Sequence, residues 1–279
     1  MGPNIAAFTA NPVQACLANQ LNGHILPPPM HTTFLRIFAV LFSVSGLLSA
    51  AIRTEPVLYK DGDAVLEGFL AWDDAIKGPV PGVLVVHDWT GLQDYAKERA
   101  KKIAALGYVA FAPDIYGKDI RPSDPKECAV CAGAYRKDLP LLRRRVLAGL
   151  AQLKARPEVD PTKLGAIGYC FGGSCVLELA RSGADVRAVV SFHGGLATTA
   201  PAAPDAIKAR ILVCHGGADE HVNKEVPAFK EEMTKSKAKM EFVTYEGALH
   251  GFTKAGPAYQ EKADTASWAA MQKLFSEVF

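Results

Sequence analysis

The chain has 279 residues, of which 49% are hydrophobic, 22% charged and 9% aromatic. These values are typical of a soluble globular protein and exclude a disordered, collagen-like or coiled-coil chain. The 31 basic and 29 acidic residues leave a net charge of +2, so the composition gives no indication of nucleic-acid binding. Six cysteines are too few for a scaffold held together by disulfides.

An apolar segment near the N-terminus has the pattern of a secretory signal peptide. Arg36 supplies a positive charge, and the sixteen residues of Ile37–Ile52 contain no charged side chain. The segment closes in small residues, so we expect cleavage near Ala50 or Ala51 and a true start near Met30. As a helix, the apolar stretch would rise about 24 Å, short of the roughly 30 Å hydrocarbon core, which disfavours a spanning anchor.

The predicted signal peptide divides the chain into an N-terminal extension and one domain. We expect residues 1–52 to comprise the N-terminal extension and signal peptide, and residues 53–279 to form a single domain. The mature protein would be periplasmic or secreted and would have no stable membrane span. An uncleaved tether, or a cytoplasmic protein with a chance apolar leader, stays open as an alternative.

From residue 56 onward, strand patterns alternate with helix patterns. In chain order the predicted elements are strands 57–59 and 65–70, strand 82–87, helix 96–106, strand 108–112, helix 139–155, strand 163–169, helix 172–182, strands 187–192 and 210–214, helix 224–236, strand 239–245 and helix 264–279. An N-terminal β-hairpin followed by this alternation predicts an α/β fold whose mostly parallel central sheet carries helices on both faces. Only residues 117–135 have no clear pattern.

A candidate nucleophile stands between a predicted strand and a predicted helix. Gly168-Tyr169-Cys170-Phe171-Gly172 has the G-x-S-x-G elbow pattern with cysteine in the serine position. The sharp turn would expose the sulfur of Cys170 at the top of the sheet, and the helix N-terminus would favour its thiolate. The backbone N–H of Phe171 would face a developing oxyanion. The alternative is a buried structural cysteine beside a glycine-rich helix start.

The partners of a catalytic nucleophile follow in the order typical of α/β-hydrolases. Asp219 comes after the predicted strand 210–214, and His250 comes after strand 239–245. The carboxyl ends of parallel strands meet at one edge of a sheet, so these loops can approach Cys170. Asp219 would orient His250, which would exchange a proton with Cys170.

Metal and redox sites are the rival interpretations. Five histidines stand at or just after predicted strand ends, namely His87, His193, His215, His221 and His250. No H-E-x-x-H or similar ligand spacing occurs, so no metal or other cofactor is expected, and His193 and His215 are interpreted as bonded to loop carbonyls. Cys128 and Cys131 lack the context of a redox or zinc motif, although export would make a structural disulfide there plausible. Cys175 and Cys214 are interpreted as core residues.

Two further motifs, Val85-Val86-His87-Asp88-Trp89 and Ala112-Pro113-Asp114-Ile115-Tyr116-Gly117, accompany the elbow. With these motifs, the chain from about Arg53 to Phe279 resembles the dienelactone hydrolase family, whose members have an α/β-hydrolase fold. The resemblance implies hydrolysis of an enol-lactone through a transient acyl-cysteine. It also implies that Cys170 is the nucleophile, Asp219 the orienting acid and His250 the base.

The resemblance assigns further roles around the elbow. The backbone N–H of Trp89 would join that of Phe171 as the second oxyanion donor. Asp88 stands where family members often have a glutamate that holds the resting thiol, and its side chain is one methylene shorter. Lys254 stands where the type enzyme has an arginine that binds the substrate carboxylate. For that enzyme's second arginine the candidates here are Arg136, Arg143 and Arg144.

The expected function is therefore hydrolysis of a small-molecule lactone or carboxylic ester through a Cys170–His250–Asp219 triad. A broad-specificity carboxylesterase and a non-catalytic binding protein on the same scaffold are the alternatives. A metallohydrolase would instead lose activity with a chelator. The natural substrate and the oligomeric state are left open by the sequence.

Overall fold

The computed structural model describes residues 51–279. The predicted start near Met30, the signal peptide and its cleavage position at Ala50 lie outside the described residues. Among the helices of residues 51–279, none combines the length and the apolar character needed to cross a membrane.

Eight strands and seven helices make up the domain. In chain order they are β1 (Ile52–Asp61), β2 (Ala64–Asp73), β3 (Val80–Val86), α1 (Asp94–Ala104), β4 (Val109–Ala112), α2 (Pro125–Lys137), α3 (Leu139–Lys154), β5 (Val159–Tyr169), α4 (Phe171–Arg181), β6 (Ala188–Phe192), β7 (Arg210–Gly216), α5 (Glu220–Asn223), α6 (Val226–Lys235), β8 (Met240–Tyr245) and α7 (Glu261–Val278). The predicted α/β class, the N-terminal hairpin and the alternation of elements are confirmed.

All eight strands form one sheet in the order β1-β2-β4-β3-β5-β6-β7-β8. The hairpin strand β2 pairs antiparallel with both β1 and β4, and every pairing from β4 through β3 to β8 is parallel. The carboxyl ends of β5, β7 and β8 therefore lie at one edge of the sheet, where α/β proteins place their sites.

Both faces of the sheet are covered, which explains the unbroken apolar run of β3. Leu84 and Val86 belong to one buried cluster, with residues of α3 and α4. Val83 and Val85 belong to a second cluster on the other face, with residues of α1 and α7. Because successive side chains of a strand point to opposite faces, a strand buried on both sides has no polar alternation.

One local prediction is wrong. The segment 117–135, expected to be irregular, contains most of α2, whose N-terminus is capped by the Asp124 carboxylate accepting from the amides of Lys126 and Glu127. Asp124-Pro125 was an available signal, since aspartate at the cap and proline in the first turn are typical helix starts. The predicted helix 224–236 is confirmed as α6, and the short helix α5, which was not predicted, precedes it.

Close backbone packing fixes the turn between β5 and α4. A Cβ atom at Gly168 would lie 2.0 Å from the Gly172 carbonyl oxygen, and one at Gly172 would lie 2.2 Å from the carbonyl oxygen of Val86. Both obstacles are backbone atoms, which cannot rotate away. The two glycines of the motif are therefore required by the approach of strand and helix.

We expect Gly172→Ala to destabilise the fold by about 1–3 kcal/mol or more, because the added methyl group has to displace the β3 backbone. Chemical denaturation measures the difference. Gly133→Ala is the matched control, since Gly133 lies in α2 with nothing within 4 Å of an added Cβ. That variant should gain roughly 0.5–1 kcal/mol from helix propensity. Equal stabilities of the two variants would contradict the packing argument.

Candidate active site

Cys170 lies on the sharp turn between β5 and α4. Its φ of 53° is in the left-handed region, which is unusual for a residue with a side chain and typical of strained functional turns. The backbone N–H of Cys170 is shared between the Phe192 carbonyl oxygen at 3.0 Å and the Nδ1 atom of His193 at 3.1 Å. The half-buried Cys170 side chain lines a cavity of about 740 Å³.

The structure brings the three predicted side chains together. His250 Nε2 lies 3.1 Å from Cys170 Sγ, and His250 Nδ1 lies 2.7 Å from Asp219 Oδ2. Asp219 is buried and also accepts the Val222 amide at 3.2 Å, which orients the carboxylate. The contact between His250 and Cys170 joins residues 80 positions apart, through the neighbouring ends of β5, β7 and β8.

The surroundings of His250 favour its charged form. Burial by itself lowers the pKa of His250, but the hydrogen bonds to Asp219 and Cys170 outweigh it and raise the pKa to about 10. For Asp219 burial acts in the opposite direction, and the bond to His250 nevertheless holds the carboxyl pKa below its usual value. At neutral pH His250 is therefore an imidazolium that donates from Nδ1 to Asp219 and from Nε2 toward the sulfur of Cys170.

The two backbone amides predicted as oxyanion donors belong to residues that follow β5 and β3. Phe171 follows Cys170 as the first residue of α4, and Trp89 lies after β3 in the wall of the same cavity. Neither amide donates a hydrogen bond to another residue within 51–279. The carbonyl of Trp89 accepts the hydroxyl of Tyr116 at 3.1 Å, which restrains this loop.

Asp88 does not hold the thiol in this structure. Its carboxylate accepts the Thr90 amide at 2.8 Å, the Thr90 hydroxyl, and the ammonium of Lys254 at 2.6 Å. These bonds lower the pKa of Asp88 although burial raises it. The described contact of the Cys170 sulfur is instead with His250, because the shorter Asp88 side chain is held by Thr90 and Lys254.

Of the cationic candidates, Lys254 and Arg136 reach the cavity. Lys254 lies over the ring of Tyr95 at 5.3 Å, and Arg136 lies over the ring of Phe171 at 5.5 Å. The two other candidates are paired elsewhere: Arg143 binds Glu178, and Arg144 binds Asp61. Unlike Lys254, Arg136 has no ion pair with another residue of the described domain.

The histidines next to the triad differ from their predicted roles. His193 bonds the amide of Cys170 and the hydroxyl of Thr253, and His215 Nε2 lies 2.7 Å from the side-chain oxygen of Asn223. The prediction that both histidines bond loop carbonyls is therefore wrong. The contact between His193 and Thr253 was missed because it joins two separate loops and leaves no local sequence pattern.

The described domain has free thiols outside the Cys170 site and no cluster of metal-ligating side chains. Residues 51–279 contain no group of three or more histidine, cysteine, aspartate or glutamate side chains arranged to hold a metal ion. Cys128 and Cys131 both lie on α2 as free thiols. Cys175 and Cys214 are fully buried, as predicted, and burial raises the pKa of each thiol.

The sheet topology and the helix coverage define an α/β-hydrolase. The model of the dienelactone hydrolase family matches residues 66–279, and the chain belongs to this family. It is accordingly a carboxylic-ester or lactone hydrolase that acts on small molecules.

Relatives and solved structures support this assignment over most of the domain. A crystal structure described as a dienelactone hydrolase-like promiscuous phosphotriesterase from metagenomic libraries is 38% identical, with a TM-score of 0.76, over 82% of this chain and 99% of its own. A Salmonella typhimurium protein named as a carboxymethylenebutenolidase is 26% identical over 85% of this chain and 91% of its own length. An uncharacterized Caenorhabditis elegans protein is 39% identical over 50% of this chain and 94% of its own.

Proposed function

We propose that the protein hydrolyses lactones or carboxylic esters through an acyl-cysteine formed on Cys170. The observation that carries the proposal is the continuous arrangement of Cys170 Sγ, His250 and Asp219, with separations of 3.1 Å and 2.7 Å. A protonated His250 beside the sulfur supports a thiolate, the nucleophilic form of cysteine.

In the first half-reaction the Cys170 thiolate attacks the carbonyl carbon and forms a C–S bond. The amides of Trp89 and Phe171 bind the oxyanion of the tetrahedral intermediate, each contributing roughly 2.7–4 kcal/mol in comparable enzymes. The C–O bond to the leaving oxygen then breaks, and His250 Nε2 gives that oxygen its proton. In a lactone the released hydroxyl group stays attached to the acyl chain.

In the second half-reaction His250, now neutral, takes a proton from a water molecule. The resulting hydroxide attacks the thioester carbon, and the C–S bond breaks to regenerate the thiolate and the imidazolium. One water molecule is consumed, and the products are a carboxylic acid and an alcohol, or a hydroxy acid from a lactone. The buried Asp219 stabilises His250 in each charged stage.

We further propose that a substrate carboxylate is bound between Lys254 and Arg136. Lys254 shares its charge with Asp88 at 2.6 Å, whereas Arg136 is exposed and contacts the ring of Phe171. A guanidinium can bind a carboxylate with two parallel hydrogen bonds, which a lysine cannot do. Arg136 is therefore expected to contribute more than Lys254 to binding of the substrate carboxylate.

We expect Arg136→Met to raise KM for a carboxylate-bearing lactone by about tenfold, the equivalent of one lost charge-assisted hydrogen bond of about 1.4 kcal/mol. KM for a neutral ester should stay unchanged. The matched control is Arg144→Met, whose guanidinium pairs with Asp61. Steady-state kinetics on both substrates measures the difference, and equal effects of the two substitutions would contradict the proposed carboxylate site.

The decisive experiment combines a panel of lactones and short-chain esters with mass spectrometry of the intact enzyme. An acyl adduct on Cys170, loss of hydrolysis after iodoacetamide, and activity retained in EDTA are the expected results. A phosphotriester belongs in the panel because the 38% identical structure is described as a promiscuous phosphotriesterase. Tight binding of one ligand without hydrolysis of any compound would favour a binding protein. Loss of activity in EDTA would favour a metallohydrolase.

We also propose that the protein is exported and cleaved near Ala50 or Ala51. This proposal is supported by the start of β1 at Ile52, because cleavage near Ala50 or Ala51 would leave that strand whole. Mass spectrometry of the native N-terminus tests it. A mature protein that retains residues 34–48 would contradict export by a cleaved signal peptide.

A further inference from the structure

His193 connects the nucleophile turn to the loop that carries the catalytic histidine. Its Nδ1 atom accepts the backbone N–H of Cys170 at 3.1 Å, and its Nε2 atom lies 2.7 Å from the hydroxyl of Thr253. Thr253 follows His250 by three residues on the same loop. One buried imidazole thus contacts both segments whose separation sets the distance between sulfur and base.

The hydrogen bonds define the protonation state of His193. A backbone N–H can only donate, so Nδ1 of His193 is unprotonated and Nε2 carries the hydrogen, which is donated to Thr253. Burial, followed by the positive charge of His250, lowers the pKa of His193 to about 3. His193 is therefore neutral and keeps its acceptor throughout the pH range in which the enzyme would work.

Thr253, the partner of His193 on the loop of His250, is anchored in the core. The Thr253 carbonyl oxygen accepts a hydrogen bond from Nη2 of Arg99 at 2.5 Å. The Thr253 hydroxyl also lies 2.6 Å from the hydroxyl of Tyr95. Arg99 is itself fixed by an ion pair of 2.8 Å with Asp264. Thr253 is thus held by several partners, and it provides His193 with a rigid support.

The ring of His193 also packs directly against the catalytic imidazole. The ring centroids of His193 and His250 are 5.4 Å apart, at an interplanar angle of 64°. Like Cys170, His193 has a positive φ, of 41°. Cys170 and His193 lie on separate turns after β5 and β6, and the hydrogen bond between them indicates that surrounding contacts hold both in this uncommon conformation.

We propose that His193 is a positioning residue that fixes the distance between Cys170 Sγ and His250 Nε2 by tying the Cys170 backbone to Thr253. The proposal rests on the proposed acyl-cysteine function and adds a residue that acts through the triad. His193 borders the cavity, and in this role it acts through the backbone of Cys170. Its loss should therefore change the rate of acyl transfer and leave substrate binding nearly unaffected.

We expect His193→Phe to lower kcat by about 100-fold, since a misplacement of about 1 Å can have that effect, and to change KM much less. His193→Asn should recover a large part of the loss. The Asn Oδ1 atom branches from the same carbon as Nδ1 and can accept the Cys170 amide, and asparagine tolerates a positive φ. If His193 served only stability, kcat per folded enzyme would not differ between the Phe and the Asn variants.

A second pair of variants keeps the test informative if His193→Phe does not fold. Thr253→Val removes the hydroxyl with little change of shape and should lower kcat, and Thr253→Ser should recover most of that loss. His215→Phe is the matched control, because His215 is another buried histidine whose bond is to Asn223. Its effect on kcat should be smaller than that of His193→Phe.

The experiment measures kcat, KM and the burst of acyl-enzyme in the same preparation, and kcat is normalised to the burst amplitude. A normalised kcat for His193→Phe and Thr253→Val equal to that of the wild type would overturn the positioning role. So would a loss that Asn and Ser do not recover. If the wild type forms no acyl adduct on Cys170, the proposed function itself fails, and this outcome is distinct from failure of the variants alone.

Discussion

Replacing Cys170 with alanine is expected to lower kcat/KM for any lactone or ester substrate by about four to six orders of magnitude. Removal of the nucleophile in hydrolases of comparable mechanism has effects of this size, because binding and oxyanion stabilisation alone supply only a residual rate. The Cys170 side chain is half-buried, and its described hydrogen bond is to His250, so the fold should persist. Steady-state kinetics and circular dichroism measure the two effects.

The matched control for this variant is Cys131→Ala, a second partly exposed thiol, on α2. Its activity should equal that of the wild type. Cys170→Ser should also be severely impaired, because a hydroxyl is far harder to ionise than a thiol and this site is built around a charged His250. Hydrolysis by Cys170→Ala within tenfold of the wild-type rate would refute the acyl-cysteine mechanism.

The second large effect is expected for His250→Gln, which should lower kcat/KM by about 10²–10⁴-fold, the usual contribution of a positioned general acid and base. Glutamine can fill part of the space and accept or donate one hydrogen bond, but it cannot give a proton to the leaving oxygen or take one from water. The acyl-enzyme burst separates this loss from a loss of binding. A variant with normal turnover would contradict the role of His250.

The charge of His250 also predicts the alkaline limit of activity. The wild-type rate should stay high through neutral pH and fall with an apparent pKa near 10, as the imidazolium loses its proton. Asp219→Asn removes the carboxylate that helps to raise the pKa of His250, so its alkaline limb should move to lower pH. An unchanged alkaline limb would contradict this assignment.

Stability should follow the same titration. The folded protein raises the pKa of His250 from 6.5 to about 10, so the protonated side chain contributes stability below pH 6.5. This contribution is lost as the pH rises through about 10. The difference in unfolding free energy between the wild type and His250→Gln should therefore be largest below pH 6.5 and shrink toward pH 10, as measured by denaturation across that range.

The arrangement of Cys170, Asp219 and His250 was predictable from local patterns and chain order. The glycines around Cys170 specify a tight strand-to-helix turn, and chain order places Asp219 and His250 after strands of a parallel sheet. Strand ends of such a sheet share one edge, so the convergence of these side chains follows from topology. The helix α2 was missed because residues 117–135 have weak apolar periodicity, although Asp124 and Pro125 mark its start.

The sequence by itself determined the fold class, the turn that carries Cys170 and the convergence of Asp219 and His250 on it, since these depend on periodicity and chain order. Only the tertiary structure decided the pairing of Asp88 with Lys254 and the bridge from Cys170 through His193 to Thr253. Asp88 and Lys254 are 166 positions apart, and His193 and Thr253 are 60 apart. Side-chain contacts across such separations depend on how several loops pack together, and no local pattern records that packing.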